Sequence, residues 1–388
     1  MADTNLGSYL ERVALRPDTA GATLTIDLGG LRSNYLQLKS LCHPAACGAA
    51  IKGNAYGIGH VEAARILERA GCRHFFVAQL SEAAAVRPVV PDADIYVLNG
   101  IPTGGAAHFV DLDVRPVLGS LEEFAEWSAL CRDRNQKLPA AIHLDTGMNR
   151  LGLRRRDVEM VARSPELCAQ FECSLVMSHL ACSDLPDHPM NRAQASLFDV
   201  MRAQLPEAPA SIANSAGVLN GKAYHYDLIR PGIALYGGNP IPAQPNPMAR
   251  VVALETSVIQ VREVPVGETV GYGATWCAKR ASRIALLPVG YFDGYFRSLS
   301  RTNDYGDAGV YIDDKFAPLA GRVSMDTIAV DVTDIASGKV RRGTRVELLG
   351  PNIGVDDVAQ WSGTISYEVL TSLGERYARV YTDQASEQ

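Results

Sequence analysis

Short apolar runs alternate with helical segments from residue 47 to about residue 245. Each run is apolar almost throughout, as in parallel strands that are buried on both faces of a sheet. The eight runs are CGAAIK (47–52), HFFVAQL (74–80), DIYVLNG (94–100), VRPVLG (114–119), AAIHLD (140–145), CSLVMSHL (173–180), ASIANS (210–215) and YDLIR (226–230). Eight strands that alternate with helices predict a closed (β/α)8 barrel of the TIM type, in preference to a doubly wound open sheet.

Two of the segments between these runs carry clear helix signals. SLEEFAEWSALCRDRNQK opens with Ser120 and Glu123 at the spacing of a capping box. The segment PMNRAQASLFDVMRAQL repeats apolar residues at helical spacing, which predicts that they form its buried face. The residues of this predicted face are Ala193, Leu197, Val200, Met201 and Leu205.

The pattern changes after the proline-rich stretch NPIPAQPNP (239–247). The later runs are short and β-branched, and Gly, Asp and Pro separate them, which predicts a second, mainly antiparallel β domain. We therefore predict a barrel domain at residues 1–245 and a β-rich domain at residues 246–388. An early strand near residues 23–29 fits either half, since it can also pack with the C-terminal domain.

Composition and charge narrow the class of protein. The chain has 388 residues, of which 47% are hydrophobic and 21% are charged, as in folded rather than disordered proteins. Its net charge of -6 gives no electrostatic reason to expect nucleic acid or an anionic membrane as a partner. We find no secretory signal and no run of about 18 apolar residues that would span a membrane. Eight scattered cysteines without a C-x-x-C pair indicate reduced thiols in a cytoplasm.

Polar residues at the ends of the predicted strands indicate one kind of cofactor. In such barrels the chemistry lies at the carboxyl ends of the strands, and phosphate sites tend to follow strands seven and eight. Lys52 ends the first run and a glycine-broken turn follows it, so it is placed to form a Schiff base. Ser215 in NSAG, with the backbone N–H groups of Gly232 and Ile233 in RPGIALYG, supplies neutral donors for a phosphate. A reactive lysine facing a phosphate site predicts pyridoxal 5'-phosphate (PLP).

Nine motifs extend this interpretation to nearly the whole chain. They are, in order, AIKGNAYGIG (50–59), DTGMNRLGL (145–153), SHLACSD (178–184), NSAG (214–217), RPGIALYG (230–237), VGYGATW (270–276), GYFDGY (290–295), GRVSMD (321–326) and GTISYEVL (363–370). Together they resemble the alanine racemase family, whose members are PLP enzymes built from a barrel and a β domain. The resemblance implies an isomerase that interconverts L-alanine and D-alanine and supplies D-alanine for peptidoglycan. It also implies a homodimer with shared active sites.

The resemblance assigns two bases and a set of cofactor contacts. Lys52 would hold PLP covalently and serve as the base for D-alanine, while Tyr272, contributed by the other subunit, would serve L-alanine. Arg230 would face the pyridine nitrogen of PLP, and His179 would lie between Arg230 and Tyr272. The full set of implied cofactor contacts is Lys52, Tyr56, His179, Asn214, Ser215, Arg230, Gly232, Ile233 and Tyr367. Without the motifs, these residues would be interpreted as a surface lysine, structural tyrosines and a core histidine.

The resemblance also assigns three residues to the substrate. Arg150, in DTGMNR, would bind the alanine carboxylate, because a guanidinium fork matches a carboxylate. Met325 would present its backbone near the substrate, and Tyr291 would lie near the entrance of the substrate channel. Tyr291, Tyr367 and the turn at Met325 would line a small pocket, which predicts a preference for alanine.

Three positions depart from the common pattern of the family. His143 stands where a lysine is frequent, and in the family that lysine can be carbamylated to orient the carboxylate-binding arginine. A histidine cannot form the carbamate, so Arg150 must be held differently in this chain. Ser324 replaces a frequent cysteine, and Asn149 stands where glycine is common. None of these departures affects the proposed pair of bases.

Other functions fit parts of the sequence. His143, Asp145 and His179 have the chemistry of metal ligands, so a barrel hydrolase with a metal at the strand ends is one alternative. We expect no metal, because that hydrolase leaves Lys52 and the phosphate site unexplained. A non-catalytic PLP carrier would lack the β domain, and a decarboxylase of the same build would need a glutamate in place of Arg230. A broad-specificity racemase would be distinguished by comparable turnover of lysine or arginine.

Overall fold

A computed structural model describes residues 19–383 of the chain. Residues 31–249 form one compact unit, and residues 19–30 together with residues 250–383 form a second. Up to residue 249 the elements are β1 (Ala22–Asp27), α1 (Leu28–Cys42), β2 (Ala46–Cys47), β3 (Ala49–Ala50), α2 (Lys52–Tyr56), α3 (His60–Arg69), β4 (His74–Val77), α4 (Leu80–Val86), β5 (Asp94–Val97), α5 (Ala106–Asp111), β6 (Arg115–Leu118), α6 (Leu121–Asp133), β7 (Pro139–His143), α7 (Arg155–Arg163), α8 (Pro165–Ala169), β8 (Glu172–Met177), α9 (Pro189–Arg202), β9 (Ala210–Ser211), α10 (Ser215–Leu219) and β10 (Leu228–Ile229). From residue 250 they are β11 (Val252–Ser257), β12 (Gln260–Val264), β13 (Thr269–Val270), β14 (Trp276–Cys277), β15 (Ser282–Leu287), β16 (Gly309–Ile312), β17 (Lys315–Pro318), β18 (Ile328–Asp331), β19 (Arg345–Leu349), α11 (Val355–Ser362), α12 (Ser366–Thr371) and β20 (Ala378–Thr382).

The parallel strands of the first unit close into the predicted eight-stranded barrel. β3 to β9 form one parallel sheet in chain order. β2 and β3 are two halves of the first barrel strand, and β2 pairs in parallel with β10. On its other side, the strand that contains β10 is linked to the one that contains β9, since Arg230 N–H donates to the Ala213 carbonyl (2.9 Å). All eight predicted runs are therefore barrel strands, and the barrel prediction is confirmed.

The helix α6 shows how local signals and core packing agree. Ser120 Oγ accepts from Glu123 N–H (3.2 Å) and Glu123 accepts from Ser120 N–H (3.1 Å), which confirms the predicted capping box. The apolar side chains Phe124 and Trp127 are buried on one face of the helix. The Phe124 ring makes an edge contact with Phe171, just before β8, with ring centroids 5.7 Å apart. This packing fixes α6 against the barrel.

The predicted buried face of α9 is wrong except at Met201, which is the one fully buried residue of the five predicted. Val200 is exposed, whereas Asn191 and Gln194 are fully buried together with Phe198 and Met201. Loop groups pair with both ends of the Gln194 amide and with the NH2 group of Asn191, which donates to the Leu185 carbonyl (3.0 Å). Apolar spacing alone could not reveal partners that only the folded barrel supplies.

The second unit is built from mainly antiparallel strands, as predicted. Its largest sheet has six strands in the order β17–β16–β19–β11–β1–β20. β1 pairs antiparallel with β11 and parallel with β20, so the early strand lies in this sheet and not among the barrel strands. A smaller sheet has the order β12–β15–β18, and β13 pairs with β14. Trp276, Ile284 and Ala320 form part of an apolar core in this unit.

Candidate active site

Lys52 directly follows the first barrel strand and begins a left-handed turn. Residues 53–56 all have left-handed backbone angles, with φ between 52° and 62°. Ala55 N–H donates to the Ile51 carbonyl and Gly57 N–H donates to the Gly53 carbonyl, both at 2.8 Å. Only one of these four residues is glycine, and a left-handed helical conformation costs about 1–2 kcal/mol for each of the others. The turn therefore needs support from the side chains around it.

The Lys52 ammonium lies among positive charges and is partly shielded from solvent. Burial lowers its pKa below the usual value, Arg150 and Arg230 lower it further, and Glu82 raises it. A lysine with a depressed pKa has a larger neutral fraction, and the neutral amine is the form that acts as nucleophile and base. Lys52 is thus suited to covalent attachment and to proton transfer.

Arg230, directly after the last barrel strand, is buried among polar groups of the barrel. Its guanidinium donates to Ser211 Oγ (2.5 Å), to the Ser178 carbonyl (2.6 Å) and to His179 Nδ1 (3.3 Å). Burial lowers its pKa from the usual value, but an arginine in a protein keeps its charge. The structure thus brings Arg230 and His179 together and leaves the guanidinium with fixed orientation.

His179 is a neutral imidazole with a defined tautomer. Since Arg230 only donates, Nδ1 of His179 accepts, and the proton of the neutral ring is on Nε2. Burial first, and then the charges of Arg230 and Lys52, hold the pKa of His179 well below its usual value. The sequence did not reveal Gln194, whose amide donates to the His179 carbonyl (2.9 Å) while its oxygen accepts from Ala181 N–H (2.8 Å). Gln194 therefore fixes the backbone that carries the imidazole.

Ser215 and Gly232 meet where the last two barrel strands end. Ser215 Oγ accepts from Gly232 N–H (2.8 Å) and from Ala234 N–H (3.2 Å). A Cβ at Gly232 would lie 2.0 Å from the Tyr56 hydroxyl oxygen, so only glycine fits beside that ring. The Asn214 side chain caps the first turn of α10, which begins at Ser215. The result is a group of neutral hydroxyl and N–H donors, which is the chemistry that a phosphate requires.

A ring contact connects this group to the Lys52 turn. Ile233 begins a short 3-10 turn directly after Gly232, and this turn ends at Tyr236. The Tyr236 ring stacks on the Tyr56 ring, with centroids 4.6 Å apart, and its hydroxyl donates to the Ala50 carbonyl (2.8 Å). Tyr56 is therefore fixed between the first barrel strand and the turn that follows the last one.

The loop after β7 presents Arg150 at its exposed side. One carboxylate oxygen of Asp145 accepts from Gly147 N–H and from Asn149 N–H, both at 3.0 Å. Asn149 has a φ of 53°, a left-handed conformation that asparagine adopts more readily than most residues. This explains how asparagine is accommodated where the family commonly has glycine. The carboxylate of Asp145 thus orders the loop that carries Arg150.

His143 and Arg150 line the same cavity of about 360 Å³. Burial, followed by the positive charges of Arg230 and Arg150, lowers the pKa of His143 to about 4. The imidazole is therefore neutral near pH 7 and adds no further positive charge beside the two arginines. His143 occupies the position where the family pattern has a lysine that can be carbamylated. In this chain Arg150 is therefore held by its ordered loop, beside a neutral histidine.

Tyr272 lies in the second unit, in the short 3-10 turn Tyr272–Ala274. The flanking Gly271 and Gly273 have positive φ values of 78° and 73°, which side chains rarely adopt. A Cβ at Gly273 would also lie 2.8 Å from the Arg322 guanidinium. The turn leaves the Tyr272 side chain 72% exposed.

The other predicted residues of the second unit lie on two adjoining loops and on a helix. Tyr291 N–H donates to the Ser324 carbonyl (3.0 Å), and Phe292 N–H donates to the Met325 carbonyl (3.1 Å). The structure thus brings Tyr291 and Met325 together, with both side chains exposed. Tyr367 lies apart from them in sequence, in the first turn of α12.

Arg376 is a residue of this unit that the sequence did not single out. Its guanidinium donates to both carboxylate oxygens of the buried Asp293 (2.7 and 2.8 Å) and to Asp326 (2.7 Å). It also lies over the Phe292 ring at 4.5 Å. Arg376 therefore fixes the loop of Tyr291 to the loop that carries Met325.

Comparison with known proteins identifies the family of the chain. The family model of the alanine racemase N-terminal domain matches residues 26–240, and that of the C-terminal domain matches residues 251–381. This chain belongs to the alanine racemase family. An alanine racemase from Methylobacterium nodulans is 47% identical over 94% of this chain and 97% of its own length.

Further relatives connect the family to its cofactor and to its two cellular roles. Two proteins of Agrobacterium fabrum, a catabolic and a biosynthetic alanine racemase, are each 44% identical, over 93% and 94% of this chain and 92% and 94% of their own lengths. The solved structure of an alanine racemase from Bartonella henselae with covalently bound PLP has a TM-score of 0.89 and 39% identity. It matches 93% of this chain and 99% of its own.

Membership in this family replaces the metal-dependent hydrolase, the PLP carrier and the decarboxylase as interpretations of the sequence. The protein is an amino-acid isomerase that interconverts L-alanine and D-alanine with PLP as its cofactor. Within residues 19–383, no group of three or more His, Cys, Asp or Glu side chains is arranged to hold a metal ion. In the same part of the chain, no helix is long and apolar enough to cross a membrane.

Proposed function

We propose that Lys52 and Tyr272 are the two bases of the racemisation and that Lys52 also binds PLP covalently. Racemisation needs a base on each face of the alanine Cα, and a single residue does not easily reach both. The observation that carries the proposal is the partly shielded Lys52, whose pKa is depressed by burial at the end of a barrel strand. Lys52 would remove the proton of D-alanine, and Tyr272 would remove that of L-alanine.

The contacts around the strand ends fit PLP. Tyr56, Asn214, Ser215, Gly232, Ile233 and Tyr367 would hold its phosphate side, Lys52 its aldehyde, and Arg230, with His179 beside it, its ring nitrogen. The close approach of the Tyr56 hydroxyl to Gly232 supports this, because it gathers neutral donors at one point. When bound, PLP withdraws electrons from the alanine Cα and makes its proton labile. Arg230 cannot supply a proton to the ring nitrogen, so it would limit that withdrawal and favour simple proton return over side reactions.

The neutral His179 would tune the second base. A free phenol has a pKa near ~10, so Tyr272 needs a partner that stabilises its ionised form. The Nε2–H of His179 is a donor of that kind, and the charged Arg230 on Nδ1 strengthens it. His179 would therefore connect Arg230 to the tyrosine without carrying a charge itself.

The substrate side would be small and would recognise a carboxylate. Arg150 would bind the alanine carboxylate, because its guanidinium is exposed on an ordered loop. Met325 and Tyr291, on two loops joined by backbone hydrogen bonds, would limit the space for the side chain of the amino acid. Alanine is therefore preferred over branched or basic amino acids.

The enzyme would act as a homodimer in which each active site takes Tyr272 from the other subunit. The high exposure of Tyr272 in the single chain supports this, since a phenol that is to act as a base needs neighbours. All eight cysteines lie within the described residues and none forms a disulfide, which supports a reducing cytoplasm as its location.

The role of Lys52 is tested with Lys52→Ala and a matched variant of an exposed lysine in the same unit, Lys137→Ala. Lys52→Ala is expected to lose the visible absorbance of lysine-bound PLP and to lower turnover by at least about a thousandfold. Lys137→Ala should retain both. Covalent PLP that borohydride still fixes to the Lys52→Ala protein would refute the assignment.

We further propose that the product D-alanine supplies peptidoglycan, as the name of the biosynthetic relative suggests. Deletion of the gene should then make growth dependent on added D-alanine. Growth without it, combined with loss of growth on D-alanine as a carbon source, would indicate a catabolic role instead.

A further inference from the structure

The left-handed turn after Lys52 has two N–H groups at its start that the turn itself cannot pair. The first N–H groups of any helical turn lack partners within it, and here they belong to Gly53 and Asn54. Both donate to the same oxygen of the Glu82 carboxylate, Oε1, at 2.6 Å and 3.4 Å. Gly53 is the residue directly after Lys52, so Glu82 holds the backbone at the point where the lysine side chain departs.

The other oxygen of Glu82 fixes the carboxylate itself. Oε2 accepts from Ala78 N–H (2.7 Å) and from Gln79 N–H (3.2 Å), at the start of α4. Glu82 is the third residue of that helix, so its carboxylate is anchored by its own helix terminus. One carboxylate thus caps two helical starts, that of α4 and that of the strained turn after Lys52.

Glu82 also has an electrostatic effect that a purely structural cap would not have. The charged and titratable groups that face Lys52 are Arg150, Arg230, His179 and Glu82. The two arginines disfavour the ammonium, His179 is neutral, and Glu82 alone carries a negative charge. Its carboxylate is therefore the group that limits how far the pKa of Lys52 falls.

We propose that Glu82 is a positioning residue for Lys52, which fixes the turn from which the lysine side chain departs and places a carboxylate beside its amine. This inference rests on the proposed role of Lys52. It adds a residue whose carboxylate accepts from backbone N–H groups and which would act through the lysine.

The chain offers a matched control in Glu123. Its Oε2 accepts from Gly119 N–H (2.6 Å) and Ser120 N–H (3.1 Å) at the start of α6, and its Oε1 accepts from Ile101 N–H (3.0 Å). The arrangement is the same as at Glu82, with one carboxylate between a helix start and the loop after another barrel strand. The difference is that the loop held by Glu123 does not carry Lys52.

The test compares Glu82→Gln with Glu123→Gln. The rate at which PLP binds covalently to cofactor-free protein is measured against pH, and its midpoint reports the titration of the lysine. Glu82→Gln should move the midpoint down by about half a pH unit or more, because the negative charge that raises the pKa of Lys52 is removed. It should also lower kcat about tenfold with little change in KM for alanine. Glu123→Gln should lose about as much thermal stability as Glu82→Gln, but its midpoint should be that of the wild type.

Glu82→Asp separates position from charge. The shorter side chain keeps the charge but cannot reach both helical starts, so kcat should fall while the midpoint stays near that of the wild type. If Glu82→Gln does not fold, this variant decides the question. A Glu82→Gln protein with the midpoint of Glu123→Gln, or a Glu82→Asp protein with the kcat of the wild type, would overturn the inference. Failure of the Lys52 assignment is seen independently, as covalent PLP in Lys52→Ala.

Discussion

The two proposed bases stand on turns that are built in opposite ways. The Lys52 turn uses three left-handed residues that are not glycine, and it is held by a carboxylate, a ring stack and backbone hydrogen bonds. The Tyr272 turn has positive φ values at Gly271 and Gly273 and at one residue that is not glycine, Ala274 (51°), whose N–H donates to the Gly271 carbonyl at 3.3 Å. The first turn therefore places three residues other than glycine in a left-handed conformation, whereas the second places only one there and uses glycine at the other two positions.

The surroundings of the two side chains also differ, since one side chain is shielded from solvent and the other is exposed. Lys52 is partly shielded and its pKa is already lowered in the single chain, mainly by burial. Tyr272 is 72% exposed. The barrel unit therefore prepares its base with its own residues, whereas the β unit presents a base that needs an environment from outside its own turn. In our proposal the second subunit supplies that environment.

Mixed dimers test this difference and carry the largest expected effect. Lys52→Ala and Tyr272→Phe should each be inactive, with turnover lowered at least about a thousandfold. If sites are shared, a mixed dimer contains one site with both lesions and one with neither. An equal mixture should then recover about a quarter of wild-type activity, because about half of the dimers are mixed and each has one intact site.

The control for this experiment is subunit exchange itself. The presence of mixed dimers is established by mass with one variant isotopically labelled. No recovery of activity in a mixture that contains mixed dimers would mean that each chain supplies both of its own bases, and the shared-site proposal would fall.

The second prediction concerns what holds the loops of the β unit. In Arg376→Ala the buried Asp293 loses its bidentate partner, and an uncompensated buried charge should lower the free energy of unfolding by about 3 kcal/mol. Because Arg376 joins the loops of Tyr291 and Met325, KM for alanine should also rise. Denaturant unfolding and steady-state kinetics measure the two effects.

Arg280→Ala is the matched control for that variant. Arg280 pairs with the exposed Asp334 in the same unit, and such surface pairs contribute little to stability because solvent screens them. Equal losses in the two variants would show that Arg376 is an ordinary surface arginine. An unchanged KM in Arg376→Ala would mean that the loops of Tyr291 and Met325 do not contribute to substrate binding.

The third prediction concerns the barrel side, where space is limiting. A methyl group at Gly232 would lie 2.0 Å from the Tyr56 hydroxyl, so Gly232→Ala should weaken PLP binding about tenfold. Gly338→Ala, where the added Cβ meets nothing within 4 Å, should have no effect. Fluorescence titration of cofactor-free protein gives the dissociation constants. Adding Tyr56→Phe to Gly232→Ala should recover part of the lost PLP affinity. Wild-type PLP affinity in Gly232→Ala alone would mean that the contact between Gly232 and Tyr56 does not shape the cofactor site.

The two sides of the site also differ in how far the sequence could predict them. The barrel strands were predictable because burial on both faces makes each run apolar throughout, and Lys52 is conspicuous at the end of such a run. The role of Glu82 was not predictable, because its contact with Gly53 joins a helix after one barrel strand to the turn after the neighbouring strand. Gln194 was missed for a similar reason, since its buried amide is satisfied by the loop of His179. Gln194 is not among the residues of the predicted buried face of α9.

The left-handed turn shows a further limit. Asn54, Ala55 and Tyr56 have no shared preference for positive φ, and only surrounding contacts make that conformation stable. Tyr272 presents the opposite case, because the glycines on either side of it are a visible turn signal while its exposure is not. Local chemistry is encoded locally, whereas support from another strand or another chain is not.

The last prediction is the smallest and concerns the neutral imidazoles on the barrel side. The pKa of His143 is lowered to about 4 in the folded protein, against an ordinary value of 6.5 in the unfolded chain. The unfolded state therefore binds more protons between these values, so stability is present above about pH 6.5 and is lost as the pH falls towards 4. Between pH 7 and pH 5.5 this one group should cost about 1 kcal/mol. The pKa of His179 is lowered as well, so His179 contributes to acid sensitivity in the wild type and in a His143→Gln variant alike. Denaturant unfolding at the two pH values should show that His143→Gln loses about 1 kcal/mol less than the wild type. A variant that loses as much as the wild type would mean that His143 titrates normally, and the charge-free neighbour inferred for Arg150 would then be wrong.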